Sequence, residues 1–222
     1  MISKLLHRAK YLYRLFIRRD PFLLEVRRWF RDRGDETLRL DYPLDAKSLV
    51  VDVGGYLGDF ADSIHKRFGC RVIIFEPVPA FFSHCKKRFS GIRNIQVIDC
   101  GLGGEDGVLP IDVANDGSSF FGSRAATSGA LAKVRKADAV LSELGIDHID
   151  LIKINIEGGE YDLLRVLIES GWINRTRYVQ VQFHNFIPNA VVLRSALREQ
   201  LTKTHREMWN YEFVWESWEL RQ

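Results

Sequence analysis

Three short constellations in this 222-residue chain hold side chains whose types and spacing could do chemistry. In the first, the apolar run Leu49-Val50-Val51 leads to Asp52, and Gly54, Gly55 and Gly58 follow as a Gly-Gly-x-x-Gly turn. Glycines at such a turn let the chain reverse tightly and let a ligand approach bare backbone. The acid ahead of the turn would set negative charge beside a pyrophosphate, and the spacing departs from the G-x-G-x-x-G of a dinucleotide fingerprint. A cationic ammonium or sulfonium group suits it better. Further on, Arg71-Val72-Ile73-Ile74-Phe75 ends in Glu76, placed to accept hydrogen bonds from both hydroxyls of a ribose. The two acids together point to an adenosine-containing cofactor; the glycines by themselves are a weak signal, and a tight ligand-free turn is the alternative.

The second constellation is Lys153-Ile154-Asn155-Ile156-Glu157-Gly158-Gly159-Glu160. Read as a strand, it puts Lys153, Asn155 and Glu157 on one face near the carboxyl end, where open α/β sheets carry their sites. A buried lysine and carboxylate need partners, and Lys153 and Glu157 could serve each other, in a site or in an ion pair that only anchors the strand. The third is Gln180, Gln182 and His184, again of one parity. A histidine titrates near neutrality and can take a proton from a hydroxyl, or can be a hydrogen-bonded structural residue.

These residues need elements to hold them, and the chain supplies strand and helix in alternation. Strands are expected near 49–53, 71–75, 95–98, 149–160 and 178–184, with helices ending at Phe68 and spanning 80–89, 137–144, 161–170 and 189–203. Residues 107–114 could form a strand or hairpin arm, 115–119 read as a polar turn, and 120–136 read as a mobile loop near the site. The tail 209–220 alternates aromatic and polar residues, as an edge strand or hairpin does. This order predicts a three-layer α/β sandwich around a mainly parallel sheet.

With 46% hydrophobic residues the chain can build one sizeable core. The expected division is a basic helical extension over residues 1–40 and a principal domain over 41–222. Cys70, Cys85 and Cys100 are odd in number and have no metal-ligand spacing, which suits reduced, buried thiols in the cytoplasm. The charge is uneven. Residues 1–33 carry ten Lys and Arg against three acids, a net of +7, which leaves −4 on the rest of a chain whose total is +3. Ile2, Leu5, Leu6, Ala9, Leu12, Tyr13, Phe16 and Ile17 make one helical stripe, too interrupted for a membrane span. The stripe packs on its own domain or lies on an anionic membrane at the inner face. No nucleic-acid partner is expected.

Val51-Asp52-Val53-Gly54-Gly55-Tyr56-Leu57-Gly58, Phe75-Glu76-Pro77 and Asp150-Leu151-Ile152-Lys153-Ile154-Asn155-Ile156-Glu157-Gly158-Gly159-Glu160 together resemble the FkbM-type methyltransferases over about residues 48–220. The resemblance implies a class I, Rossmann-like, seven-strand sheet with a final antiparallel strand, S-adenosylmethionine as cofactor, and O-methylation of hydroxyls on sugars, glycans or related secondary metabolites. Carried over, Asp52 orders the turn, Gly54, Gly55 and Gly58 face the methionine end, Glu76 holds the ribose, and Asp99 and Cys100 flank the adenine. Asn155 stands where many members have Asp. Asn cannot be a general base and is a poor ligand for a hard cation, so no metal is expected, His184 becomes the candidate base, and Asn155 and Glu157 complete the catalytic set. A nicotinamide oxidoreductase and a catalytically silent module at a membrane are the rival readings.

Overall fold

The computed structural model describes residues 13–114, 117–119 and 130–221. Its framework is a seven-stranded sheet in the order β10-β11-β9-β8-β1-β2-β3. The strands are β1 (Leu49–Val53), β2 (Arg71–Phe75), β3 (Ile95–Ile98), β8 (Ile149–Ile154), β9 (Thr176–Val181), β10 (His205–Tyr211) and β11 (Trp215–Leu220). The first five run parallel; β11, last in the chain, slots antiparallel between β9 and β10. The chain moves outward from β1 through β2 to β3, then returns to build β8 and β9 on the other flank of β1. The order therefore reverses between β1 and β8, and the crevice beyond their carboxyl ends is where such sheets hold ligands.

Helices α2 (Asp59–Phe68), α3 (Pro79–Arg88), α4 (Ala137–Glu143), α5 (Glu160–Glu169) and α6 (Ala190–Thr202) cover the sheet. The pleat sorts the core into two layers. Leu49, Val51 and Val53 of β1 pack with Ile152, Ile154 and the apolar sides of α4, α5 and α6. Val50, Val72, Ile74 and Leu151 point the other way, onto Ala61 and Ile64 of α2 and Cys85 of α3. That second face carries a polar row. Asp52, Lys153, Gln180 and Ser217 are register neighbours on β1, β8, β9 and β11, and all four are buried.

N-terminal to the sheet, Asp20 caps α1 (Pro21–Arg31), accepting from the Leu23 N–H at 3.4 Å, with Pro21 in the first turn. Trp29 of α1 packs on Tyr211 and Trp209 of β10 and donates its indole N–H to Asp35. Gly34 lies flat against that indole, since a Cβ there would stand 2.3 Å from the ring.

Three expectations change. Of the stretch read as a loop, Ala130–Lys136 is strand β7; it joins β4 (Gly101–Gly103), β5 (Gly107–Ala114) and β6 (Gly117–Ser119) in a small second sheet. The apolar signal was weak because Ala132 and Val134, which are buried, alternate with Leu131, Lys133 and Arg135, which are not. The rest of that expected loop, 120–129, and Asn115-Asp116 of the polar turn lie outside the described residues, while Gly117–Ser119 of the turn pairs as β6. Finally, β8 stops at Ile154 and β9 at Val181, so Asn155, Glu157, Gln182 and His184 belong to the segments that follow, and a turn rather than the pleat orients them.

Candidate active site

At the end of β1 the chain enters the glycine turn with Gly54 at φ +85° and Gly58 at φ +82°, backbone that disfavours any side chain. Packing demands these glycines as well. A Cβ on Gly54 would lie 1.9 Å from the Asn155 carbonyl oxygen, one on Gly55 2.2 Å from Ile74, and one on Gly58 2.6 Å from Phe89. The turn is thus wedged against β8, β2 and the end of α3, and its glycines are explained by the fold before any ligand is considered.

Lys153 crosses from β8 to this turn. Its Nζ donates to the Gly54 carbonyl at 2.7 Å and stands 2.9 Å from Asp52 Oδ1. The expected pairing of Lys153 with Glu157 is replaced by this one because Lys153 and Asp52 are register partners on the same face, whereas Glu157 lies beyond the strand. The Lys153 ammonium is thus the charge partner of Asp52, and the second buried carboxylate oxygen, Oδ2, has no hydrogen-bond partner among the described residues. The buried Oδ1 of Asn155, at the neighbouring strand end, also lacks a partner. Orphaned acceptors at adjacent strand ends cost free energy and call for donors. An ammonium group supplies them, so the residues here fit the amino-acid end of S-adenosylmethionine.

Glu76, just past the end of β2, is buried and holds the turn from the other side. It accepts the Tyr56 N–H at 2.7 Å and the Val78 N–H at 2.8 Å. Burial pushes its pKa up to about 7, against the lowering effect of those two N–H groups. Asp99 is exposed just beyond β3, in line with Glu76, whose N–H donates to Ile98 at 3.2 Å. Cys100 is buried among core residues, and burial raises its thiol pKa. A wall is the part its side chain can play.

His184 follows β9 and meets the turn after β8. Its Nδ1 is 2.9 Å from Glu160 Oε1 and its Nε2 3.3 Å from Glu157 Oε2. Its own carbonyl accepts from the Tyr161 hydroxyl at 2.8 Å. Burial acts to lower the imidazole pKa, but the hydrogen bonds and charges of Glu157 and Glu160 outweigh it and raise it to about 9. Glu157 sits at φ +52°, an uncommon conformation for a residue with a side chain. What holds it is Glu160, fully buried, whose carboxylate accepts the N–H groups of Ile156 at 2.9 Å and Gly158 at 3.0 Å. Sequence reasoning missed this role. Glu160 opens α5, but its partners are backbone donors upstream and a histidine 24 residues away.

His184, Glu157 and Glu160 are thus brought together, while Gln180 is not part of the group. The Gln180 side chain exchanges hydrogen bonds with Arg39, at 3.2 and 3.0 Å, and donates to the Tyr42 hydroxyl at 2.9 Å. Gln180 ties the N-terminal segment to the sheet.

The sequence profile described as "Methyltransferase FkbM domain" matches residues 52–213. Methyltransferase 1 of Beauveria bassiana (strain ARSEF 2860) is 26% identical over 155 residues, 59% of this chain and 62% of its own length. Methyltransferase sdnD of Sordaria araneosa is 22% identical over 165 residues, 58% of this chain and 64% of its own. The chain therefore spans less than two thirds of the length of these relatives. A solved structure described as a putative rRNA-methylase from Clostridium thermocellum superposes with a TM-score of 0.50 at 11% identity, over 86% of this chain and 96% of that one. The architecture is the class I, Rossmann-like one that the sequence analysis expected.

Proposed function

The chain belongs to the FkbM methyltransferase domain family, and from that premise we propose that it transfers a methyl group from S-adenosylmethionine to a hydroxyl of a sugar, glycan or related secondary metabolite. The observation that carries the hydroxyl reading is the Glu160–His184 pair at the sheet edge, 2.9 Å apart, with Nε2 facing Glu157. The cofactor, when bound, supplies an activated methyl on a sulfonium. Asp52, Asn155 and the glycine turn would hold its amino-acid end and Glu76 its ribose, with Asp99 and Cys100 toward the adenine. His184 Nε2 would accept the proton of the acceptor hydroxyl, while Glu160 keeps Nδ1–H and so fixes the tautomer and ring plane. Only the neutral ring can do this. Its pKa of about 9 in the free chain means that the competent form grows as pH rises, and a nearby cation lowers that pKa.

The test is transfer of label from methyl-labelled S-adenosylmethionine to a panel of monosaccharides, oligosaccharides and polyols. An alkali-stable methyl ether is expected as product. His184→Gln should lower turnover by about 10²–10⁴ with affinity for adenosylhomocysteine unchanged, and kcat/KM of the parent should climb to a limb at about pH 9. Label recovered as an ester or an N-methyl group would end the hydroxyl reading. A pH profile shared by parent and variant would remove His184 as the base.

A further inference from the structure

Helix α1 has two unlike faces. Phe22, Val26 and Trp29 turn inward, onto Tyr211, Val214 and Trp215. On the outward side Leu24 is 41% and Phe30 69% exposed, beside the exposed Arg27 and Arg31. Just ahead of the helix, the turn Tyr13–Ile17 exposes Tyr13, Phe16 and Ile17 by 55%, 58% and 71%. The Arg27 guanidinium lies 5.4 Å from the centre of the Phe16 ring, so turn and helix present one continuous surface. Among the described residues, five of thirteen exposed large hydrophobic side chains fall in this short segment, a concentration that marks an interaction site rather than scatter.

The surface is also cationic. Residues 13–33 hold seven arginines against three acids. Arg14, Arg28 and Arg31 are neutralised by Asp20, Glu25 and Asp32, whereas Arg18, Arg19 and Arg27 form no ion pair among the described residues. The helix is held in place from behind by Trp29 on Asp35 and by Arg28, which donates to the Asn210 carbonyl at 2.9 Å. Its outward side chains therefore keep a fixed aspect. Among the described residues no helix is long and apolar enough to cross a membrane.

We propose that the outward face of Tyr13–Arg31 is a docking surface for a bilayer rich in anionic lipid. Guanidinium groups pair with lipid phosphates, while Phe16, Ile17, Leu24 and Phe30 enter the boundary between headgroups and acyl chains. A nucleic acid would use the arginines and could stack on phenylalanine, but it gives Ile17 and Leu24 nothing. The proposal is independent of the methyl-transfer reading.

The experiment is co-sedimentation of the full chain with vesicles of phosphatidylcholine alone and with vesicles in which about a third of the lipid is phosphatidylglycerol. Two variants accompany the parent, Arg18→Glu/Arg27→Glu and Phe16→Ser/Phe30→Ser; all four positions are exposed, so an unchanged melting temperature reports an intact fold. The expected result is at least about tenfold more binding to the anionic vesicles, with each variant losing about tenfold. Salt should release the parent only in part, because the apolar contribution is not screened. Failure to pellet with the anionic vesicles, or equal pelleting of parent and variants, overturns the proposal. Two other outcomes do so as well: a single-stranded RNA that binds the parent more tightly than the vesicles do and is lost in the Arg variant, and a dimer in solution that Phe16→Ser/Phe30→Ser dissociates.

Discussion

His184 is one imidazole between two carboxylates, and that arrangement has a thermodynamic signature separate from catalysis. The folded pKa of about 9 lies above the ordinary value of 6.5, so the ring binds its proton more tightly in the native chain than in the unfolded one. The resulting stabilisation is fully present below pH 6.5 and is lost as pH rises through about 9. For a ring this well covered, with 13% of the side chain exposed, the shift corresponds to about 3 kcal/mol. Urea unfolding of the parent and of His184→Gln should therefore differ by about that amount at pH 6 and converge by pH 10. A gap that stays constant with pH would show that the two glutamates do not hold the proton. Sequence parity led to His184 as a residue of interest, but not to Glu160, because the turn that aims Glu160 back at Ile156 and Gly158 follows from backbone torsions that no hydrophobic pattern encodes.

At the scale of the elements, the polar row across β1, β8, β9 and β11 separates two jobs. Tyr42 donates to or accepts from Ser217 at 2.9 Å and receives Gln180 at 2.9 Å, which fastens the N-terminal segment over the sheet. Asp52 and Lys153 fasten the glycine turn to β8. Lys153→Met alone would leave Asp52 buried without its cation and should cost about 3–5 kcal/mol. Adding Asp52→Asn should restore most of that stability, since a buried ion pair replaced as a unit is often neutral. Denaturant midpoints of the single and double variants check this, and identical losses in both would mean that the pair is not coupled. The strands bearing this row were legible to unequal degrees. β1 and β2 are short, mostly apolar runs between turns, and the bounds of β2 were read correctly. β8 and β9 were drawn too long, because Ile156 and Phe183 continue the apolar alternation after the pairing has ended, and both are buried although they lie outside the strands. The partner of Lys153 was left open for a different reason: choosing Asp52 requires the register between β1 and β8, which lie about a hundred residues apart and are brought side by side only in the folded sheet.

For the molecule as a whole, the question is where the folding unit begins. The family match starts at residue 52, yet the core extends well ahead of it. Trp29 is 2% and Tyr42 3% exposed. Trp29 meets Tyr211 edge-on with ring centres 5.1 Å apart, and the Tyr211 hydroxyl donates to Asp32 at 2.9 Å. Arg39 lies 4.1 Å over the Trp215 ring. Each of these contacts joins residues 29–39 to the β10–β11 hairpin. A chain shortened to begin at Asp45 loses both buried aromatics, and it uncovers Gln180 and Ser217, polar groups whose hydrogen bonds come from Arg39 and Tyr42. Removing one buried aromatic side chain costs about 3–5 kcal/mol. Two such losses rival the whole stability of a domain, about 5–15 kcal/mol. The shortened chain should therefore bind a hydrophobic dye and lose its near-ultraviolet circular dichroism at 25 °C, as compact states without fixed packing do. A chain begun at Asp20 keeps the cap, α1 and every one of these contacts, and should unfold cooperatively at the parent's midpoint. If the chain begun at Asp45 instead kept that midpoint, residues 21–44 would be an appendage resting on a sheet that folds without them.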